Sequence, residues 1–227
     1  MSAARKISRL AVGDLTLKPV EEIYDAKRDP VKGSRNEQLN DDLPFDSRAG
    51  MTVAHYFPLD AGYVFKVRFR GVQSDGEEGD TDPYQLRVAL KAGLHTIGVT
   101  SPRENLKPEN DAPAGGRGGG RGAGAATDSP VDLRLDGARL KRFDVAATTP
   151  DVTRLIVGGP YSIAGRGDTA SRRTIFVCRS ERPSEEPGCA RKILTSLAHR
   201  AFRRPVTSLD IDPLYGFYEK GRRDADF

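Results

Sequence analysis

Histidine, the side chain best suited to moving a proton near neutral pH, occurs at three positions in the chain: His55, His95 and His199. The first two fall within stretches of alternating apolar and polar residues, which predict strands and favour a structural role for both imidazoles. His199 lies at the rim of a basic helical stretch. The Gly-x-Ser-x-Gly motif of a hydrolase nucleophile is absent from the sequence. The sequence therefore predicts a protein without a catalytic centre of its own, and an independent hydrolase is the weakest alternative.

Carboxylates are concentrated in one acidic loop. Five of them occupy eight positions: Asp75, Glu77, Glu78, Asp80 and Asp82. Calcium prefers oxygen ligands from flexible loops, so the loop is a candidate calcium site with Asp80 and Asp82 among its ligands. The alternative is a solvated acidic loop that binds no metal.

Four tyrosines near predicted strand ends could stack on sugar rings: Tyr56, Tyr63, Tyr84 and Tyr161. Aromatic faces are the usual contact surface for such ligands in carbohydrate-binding modules. The alternative is that half or more of these rings are core or edge residues. The chain has no tryptophan, which weakens the case for sugar binding.

The charge pattern argues against nucleic-acid binding, and the short apolar runs argue against a membrane span. The net charge is only +4, from 36 basic and 32 acidic residues that are interspersed along the chain. Arg117 and Arg121 lie in a glycine-rich stretch that resembles RNA-binding segments, but two arginines are too few for that role. No apolar run approaches the roughly 18 residues of a membrane helix. The first residues contain no signal-peptide core, but we expect the sequence to be a fragment of a longer protein, in which a signal peptide could lie upstream of Met1.

Short runs with period-two alternation predict about eight strands. They lie near residues 53–57, 63–69, 84–89, 95–100, 131–135, 140–145, 153–157 and 174–178. The first two are expected to form a hairpin, and Asp136-Gly137 is a strong signal for another. Because no strand–helix–strand alternation occurs, the predicted fold is mainly β, an antiparallel β-sandwich of jelly-roll type.

The C-terminal part has helical periodicity instead. Ser184 is a candidate N-cap for a first helix, and Pro205 would end that helix. Thr207, with Asp210 three residues on, forms a short capping box for a second helix. Two helices joined by a tight turn predict an αα-hairpin, which needs a further partner to pack on.

The stretch around this hairpin resembles a known group of proteins. Residues Ile175–Cys178 (IFVC) and Cys189–Thr207 (CARKILTSLAHRAFRRPVT) are similar to the start of a helical domain of unknown function. That domain occurs in large multidomain proteins of planctomycetes and acidobacteria, which often carry a cytochrome c module. Shorter stretches are similar to other parts of the same proteins: ISRLAVGD, DLPFDSRAG, LKAGLHTIGVT, LIVGGPY and GDTASRRTIFVC.

The resemblance implies a domain order. Residues 1–14 correspond to the end of a preceding helical domain. Residues 15–178 correspond to a β-sandwich with a disordered Gly-rich insertion at 103–130. Residues 184–227 correspond to the start of the helical domain. The sandwich of this group is similar in shape to carbohydrate-binding modules, some of which bind xylan through calcium.

The resemblance also implies a setting and several site residues. In an exported protein Cys178 and Cys189 are expected to form a disulfide. Asp168 falls in a matched motif and is a further candidate calcium ligand. No Cys-x-x-Cys-His motif is present, so this chain is expected to attach no haem.

The expected function is that of a non-catalytic, carbohydrate-binding-like module from a periplasmic or extracellular protein. Its expected partners are a polysaccharide and the other domains of the same polypeptide. The alternative is a scaffolding domain of a haem-linked oxidoreductase that has no ligand of its own.

Overall fold

A computed structural model describes residues 2–26, 47–72, 82–102, 128–147 and 150–224. The chain divides into two compact units. One spans Thr16–Gly165, and the other combines Met1–Leu15 with Arg166–Phe227. The predicted acidic loop and the insertion at 103–130 lie largely outside the described residues, as does Asp80.

The first unit is built from eight strands. In chain order they are β1 (Val20–Asp25), β2 (Ser47–Phe57), β3 (Asp60–Phe69), β4 (Gln85–Leu90), β5 (Gly93–Pro102), β6 (Ser129–Leu135), β7 (Ala138–Val145) and β8 (Val152–Gly165). They form two antiparallel four-stranded sheets with the orders β1-β8-β3-β4 and β2-β5-β6-β7. The predicted mainly β, sandwich-like fold is confirmed.

The core lies between the inner faces of the two sheets. Strand β3 contributes one of its two faces to the core: alternate residues along it are buried, while those between them remain partly exposed. Its buried members include Tyr63, Phe65 and Val67, which are at most 2% exposed. The other sheet contributes Ile97 and Val99 from β5, both fully buried. This alternation places polar groups of the same strands on the outer faces, where a ligand could reach them.

The predicted hairpin between the first two runs is wrong. Strand β2 pairs with β5 in one sheet, whereas β3 pairs with β4 and β8 in the other. The short connection through Pro58 and Leu59 is a corner between sheets, with Leu59 fully buried. Local alternation is the same for a hairpin and for a corner, so the pattern could not distinguish them.

The predicted hairpin at Asp136-Gly137 is confirmed, because β6 and β7 pair on either side of it. Asp136 has φ 49° and Gly137 has φ 82°. Two successive left-handed residues match the twist of the flanking strands.

Strand β8 is longer and more central than expected. It continues to Gly165, well past the predicted end at residue 157, and lies between β1 and β3. Gly159 makes this position possible, since a Cβ there would lie 2.4 Å from Cδ1 of Tyr63. Strand β1 was not predicted, because the sequence Val-Glu-Glu-Ile-Tyr-Asp lacks strict alternation.

The second unit is helical in its described part. Its helices are α1 (Ser2–Val12), α2 (Ala170–Ile175), α3 (Glu186–Phe202) and α4 (Ser208–Asp224). The predicted strand at 174–178 is wrong, since α2 covers its first residues. Thr169 starts this helix by accepting a hydrogen bond from the backbone N–H of Arg172, and this cap outweighs the β propensity of the following residues.

Of the two predicted helix starts in the C-terminal part, one is wrong and the other is confirmed. Ser184 is not an N-cap, because it lies in a 3-10 turn, Pro183–Glu185, that leads into α3. The Thr207–Asp210 capping box is confirmed: the Asp210 carboxylate accepts hydrogen bonds from the Thr207 N–H at 2.9 Å and from its hydroxyl at 3.0 Å. The predicted disulfide is also confirmed, as Cys178 is bonded to Cys189 with the two Cα atoms 5.4 Å apart.

No helix within the described part of the chain is long and apolar enough to cross a membrane.

Candidate functional site

Two of the four candidate tyrosines are core residues. Tyr63 is 2% exposed, its ring lies 4.5 Å from that of Phe57, and its hydroxyl donates to the carbonyl of Leu59 at 3.0 Å. Tyr84 is 8% exposed and lies against the ring of Phe69. Neither residue presents a ring face on which a sugar could stack.

Tyr56 is half-buried. By strand alternation it points to the face of β2 opposite that of buried His55 and Phe57. Its hydroxyl is buried and has no hydrogen-bond partner among the described residues. An unsatisfied hydroxyl costs free energy, but a fully covered one offers no ready contact to a large ligand.

Tyr161 is the candidate with the most suitable surroundings. It lies on β8 opposite Gly62 of β3, and the guanidinium carbon of Arg87 is 5.2 Å from its ring centroid. Arg87 also donates from Nη2 to the hydroxyl of Ser162 at 3.3 Å. The tyrosine and the serine of β8 therefore form one connected group with the arginine of β4, across the strand β3 that lies between them.

A cleft of about 360 Å³ opens beside this group, and we call it the Arg87 cleft. Strands β3, β4 and β8 line it with Asp60, Ala61, Gly62, Arg87, Val88, Ala89, Leu90, Lys91, Ser162 and Ala164. Gly62 leaves the space between Arg87 and the β8 backbone open. A Cβ at this position would lie 3.2 Å from the carbonyl oxygen of Tyr161 and 3.8 Å from Nε of Arg87.

Asp60 is the carboxylate among the residues that line the cleft. Its Oδ2 accepts from Lys91 Nζ and its Oδ1 accepts from the Ala92 N–H, both at 2.8 Å. Partial burial disfavours the charged form of Asp60, but these two hydrogen bonds and the Lys91 charge hold its pKa below the ordinary value. Asp60 is therefore ionised at neutral pH and already has two partners.

Where the structure describes the predicted calcium ligands, their carboxylates contact arginines or a backbone N–H of the protein. Asp82 is 7% exposed and accepts from Arg68 Nη1 at 2.5 Å and from the Tyr84 N–H at 3.0 Å. Asp168, in the helical unit, lies 3.8 Å from both Arg173 and Arg179. Among the described residues, no group of three or more His, Cys, Asp or Glu side chains could hold a metal ion.

Asp132 is a more deeply buried carboxylate than any of these candidates. It is fully buried on β6, and Arg142 of β7 donates to it at 2.8 Å while Arg134 donates at 3.3 Å. Burial opposes ionisation of Asp132, but the hydrogen bond from Arg142 and the neighbouring arginine charges hold its pKa below the usual value. The carboxylate joins two strands and has an evident structural role.

Two of the histidines hold the sandwich together. Nδ1 of His55 lies 2.7 Å from the Tyr24 hydroxyl, and Nδ1 of His95 lies 2.6 Å from Oδ2 of Asp136 in the β6–β7 turn. The third, His199, is exposed on α3. These positions support the structural role that the sequence pattern favoured.

Arg87 was not identified from the sequence, although one signal was available. Leu86, Val88 and Leu90 mark the apolar face of β4, so Arg87 had to point away from the core. Its pairing with Tyr161 could not be foreseen, because that contact joins residues far apart in the chain.

The comparisons with known proteins concern only the C-terminal helices. Residues 189–227 match the model of a family described as PSD5, a protein of unknown function (DUF1595). No curated protein and no solved structure matches the chain. The α3–α4 region is thus similar to a family of unknown function, in agreement with the resemblance described for these helices.

Proposed function

We propose that this chain is a non-catalytic module that binds carbohydrate at the Arg87 cleft. One observation carries the proposal: an open cleft of about 360 Å³ is lined by a lysine, a hydroxyl and an arginine that lies over an aromatic ring. The volume is at the small end of the range for ligand pockets, which suits one or two sugar residues of a longer chain.

The chemistry of the cleft suits a polyhydroxylated ligand. Arg87 and Lys91 offer hydrogen-bond donors, and the Ser162 hydroxyl can donate or accept. Ala61, Val88 and Leu90 supply apolar lining for the carbon–hydrogen faces of a sugar ring. The residues that line the cleft include no histidine or cysteine, and their carboxylate is held by Lys91.

The setting we propose is a large exported protein with several domains. The match of residues 189–227 to a family of unknown function supports the resemblance to the multidomain proteins of planctomycetes and acidobacteria. The Cys178–Cys189 disulfide supports an oxidising compartment, the periplasm or the cell exterior. The partners would then be a polysaccharide and other domains of the same polypeptide, which often include a cytochrome c module.

Affinity electrophoresis of the full chain in gels that contain soluble polysaccharides tests the proposal. We expect retardation by at least one polysaccharide, and loss of that retardation in Tyr161→Ala and Arg87→Ala. Arg70→Ala is the matched control, because Arg70 is an exposed β-sandwich arginine that pairs with Asp151 outside the cleft. A parallel series with EDTA shows whether calcium contributes.

Absence of retardation by every polysaccharide would contradict the proposal. The scaffolding alternative would then be favoured by a separate feature of α4. Leu209 is 85% exposed and Phe217 is 74% exposed on this helix, as at surfaces that contact another domain.

A further inference from the structure

The residues that line the Arg87 cleft carry more positive than negative charge. Lys91 is matched by Asp60, whose second oxygen is bound by the Ala92 backbone. Arg87 has a neutral hydroxyl and an aromatic ring as its contacts. Among the described residues, no carboxylate pairs with its guanidinium. The cleft therefore carries one cationic group more than anionic groups.

Arg87 is held in place from two sides. The guanidinium carbon lies over the Tyr161 ring, 5.2 Å from its centroid, and the Ser162 hydroxyl accepts a hydrogen bond from Nη2 at 3.3 Å. Ser162 has φ 46°, a left-handed conformation that is uncommon for a residue other than glycine, asparagine or aspartate. This backbone conformation sets the direction in which the Ser162 side chain leaves β8, and its hydroxyl then accepts from the arginine.

An oriented guanidinium favours a particular kind of partner. Its N–H groups form a planar fork that matches the two oxygens of a carboxylate, and such bidentate pairs are stronger and more directional than neutral hydrogen bonds. Lys91, whose side chain is 85% exposed, lies at the rim with its charge matched by Asp60. Arg87 itself is among the residues that line the cleft, so its guanidinium lies within reach of a ligand bound there.

We propose that the ligand of the Arg87 cleft is an acidic polysaccharide whose uronate carboxylate pairs with the guanidinium of Arg87. The inference rests on the proposed function, since it names the class of carbohydrate that the module binds. A sulfated polysaccharide is the other anionic candidate, because a tetrahedral oxyanion also accepts two hydrogen bonds from the fork, and the test below distinguishes the two.

Polygalacturonate and its fully methyl-esterified form provide the test, because they share a backbone and differ in the carboxylate charge. Binding of the full chain is measured by affinity electrophoresis at low and high salt, with neutral xylan and a sulfated galactan as further ligands. We expect at least tenfold weaker binding to the esterified polymer, and weaker binding to polygalacturonate as salt is added.

Three variants assign the effect to Arg87. Arg87→Gln should reduce binding of polygalacturonate to the level of the esterified polymer. Arg87→Lys keeps the charge without the fork and should lose most of the affinity. Arg70→Gln removes an exposed arginine elsewhere and should bind as the unaltered chain does. Unchanged thermal unfolding of each variant shows that lost binding is not lost folding.

Equal binding of the charged and esterified polymers would overturn the inference, as would full retention of binding by Arg87→Gln or Arg87→Lys. Preference for xylan or for the sulfated galactan would also overturn it, while leaving carbohydrate binding intact. Failure to bind any of these polymers would contradict the proposed function itself. The two failures are therefore distinguishable within one experiment.

Discussion

The hydroxyl of Tyr24 lies 2.7 Å from Nδ1 of His55 and 2.9 Å from Oε2 of Glu22. Tyr24 belongs to β1 in one sheet and His55 to β2 in the other, so this contact joins the two sheets. When the hydroxyl donates to Glu22, Nδ1 of His55 carries a hydrogen and donates to the hydroxyl. Burial and the adjacent Glu22 raise the pKa of Tyr24 to about 12, which keeps the phenol protonated.

We expect the stability of the β unit to fall as the pH drops below His55's ordinary value of 6.5. Burial lowers the pKa of His55 in the folded protein, and the charge of Glu22 opposes this only in part. The unfolded chain therefore binds more protons in this range, so acid favours unfolding until the folded-state pKa is passed. Urea unfolding between pH 7 and 5 measures the effect.

His55→Asn keeps an N–H donor near Nδ1 but does not titrate, so its stability should depend less on pH in this window. His199→Asn, at an exposed site on α3, should behave as the unaltered chain does. The stability conferred by ionised Asp60 and Asp132, whose pKa values are lowered, is lost only at more acidic pH. Identical pH profiles for His55→Asn and the unaltered chain would contradict the prediction.

Two tyrosine-to-phenylalanine changes should have opposite outcomes. Tyr24→Phe removes the partner of buried His55 and should destabilise the β unit by about 1–3 kcal/mol. Tyr56→Phe removes a buried hydroxyl that has no partner in the part of the chain that the structure describes, so it should be neutral or slightly stabilising. Chemical denaturation at pH 7 compares the two, and equal losses would show that the hydrogen bond has no special role.

Asp132→Asn should destabilise the sandwich by about 2–4 kcal/mol, because it removes the negative charge that balances nearby arginines. The loss should lie towards the low end of values for buried ion pairs, since the Arg142 side chain is 41% exposed. Asp144→Asn, the same change at an exposed position of β7, should alter the free energy of unfolding by less than about 0.5 kcal/mol. Similar losses for both variants would refute the argument from burial.

Removal of the disulfide should destabilise the helical unit by about 3 kcal/mol, the value expected for closing a loop of roughly ten residues. Cys178→Ser/Cys189→Ser and the reduced chain should show the same lowered melting temperature. A reducing agent should then have no further effect on the double variant. A melting temperature unchanged by reduction would show that the crosslink adds nothing to the folded helices.

In α4, Ile211→Ala should cost about 2–4 kcal/mol, because Ile211 is 6% exposed. Leu209→Ala, two residues earlier and 85% exposed, should change stability by less than about 0.5 kcal/mol. Leu197 of α3 is half-buried, so Leu197→Ala should give an intermediate loss. Helix unfolding followed by circular dichroism ranks the three variants, and a large loss for Leu209→Ala would mean that its side chain is covered in solution.

Period-two alternation predicted most of the sandwich, because burial of one strand face imposes that pattern directly. Phe65 and Val67 are core residues for this reason. Tyr63 lies on the same face of β3 as these two residues, so the alternation could also have excluded it from the sugar-binding candidates. Alternation says nothing about which strands are neighbours, so the β2–β3 corner and the central place of β8 were missed.

The candidate site depended on tertiary information. Arg87 and Tyr161 are brought together by the pairing of β3 with both β4 and β8, and no local pattern specifies that pairing. Short segments were also ambiguous: Thr174 and Ile175 have β-branched side chains, yet they end a helix that Thr169 starts. Caps and strand neighbours determined these outcomes more than residue propensity did.

The central position of β8 has a consequence for synthesis of the protein. Val20 pairs with Gly159, so β1 has no neighbour in its sheet until about 140 further residues have left the ribosome. Until then β3 also lacks its hydrogen-bonding partner on that side, so one backbone edge of β3 stays unpaired. We therefore expect the sandwich to close late, after translation of β8, with a nascent chain that benefits from chaperones up to that point.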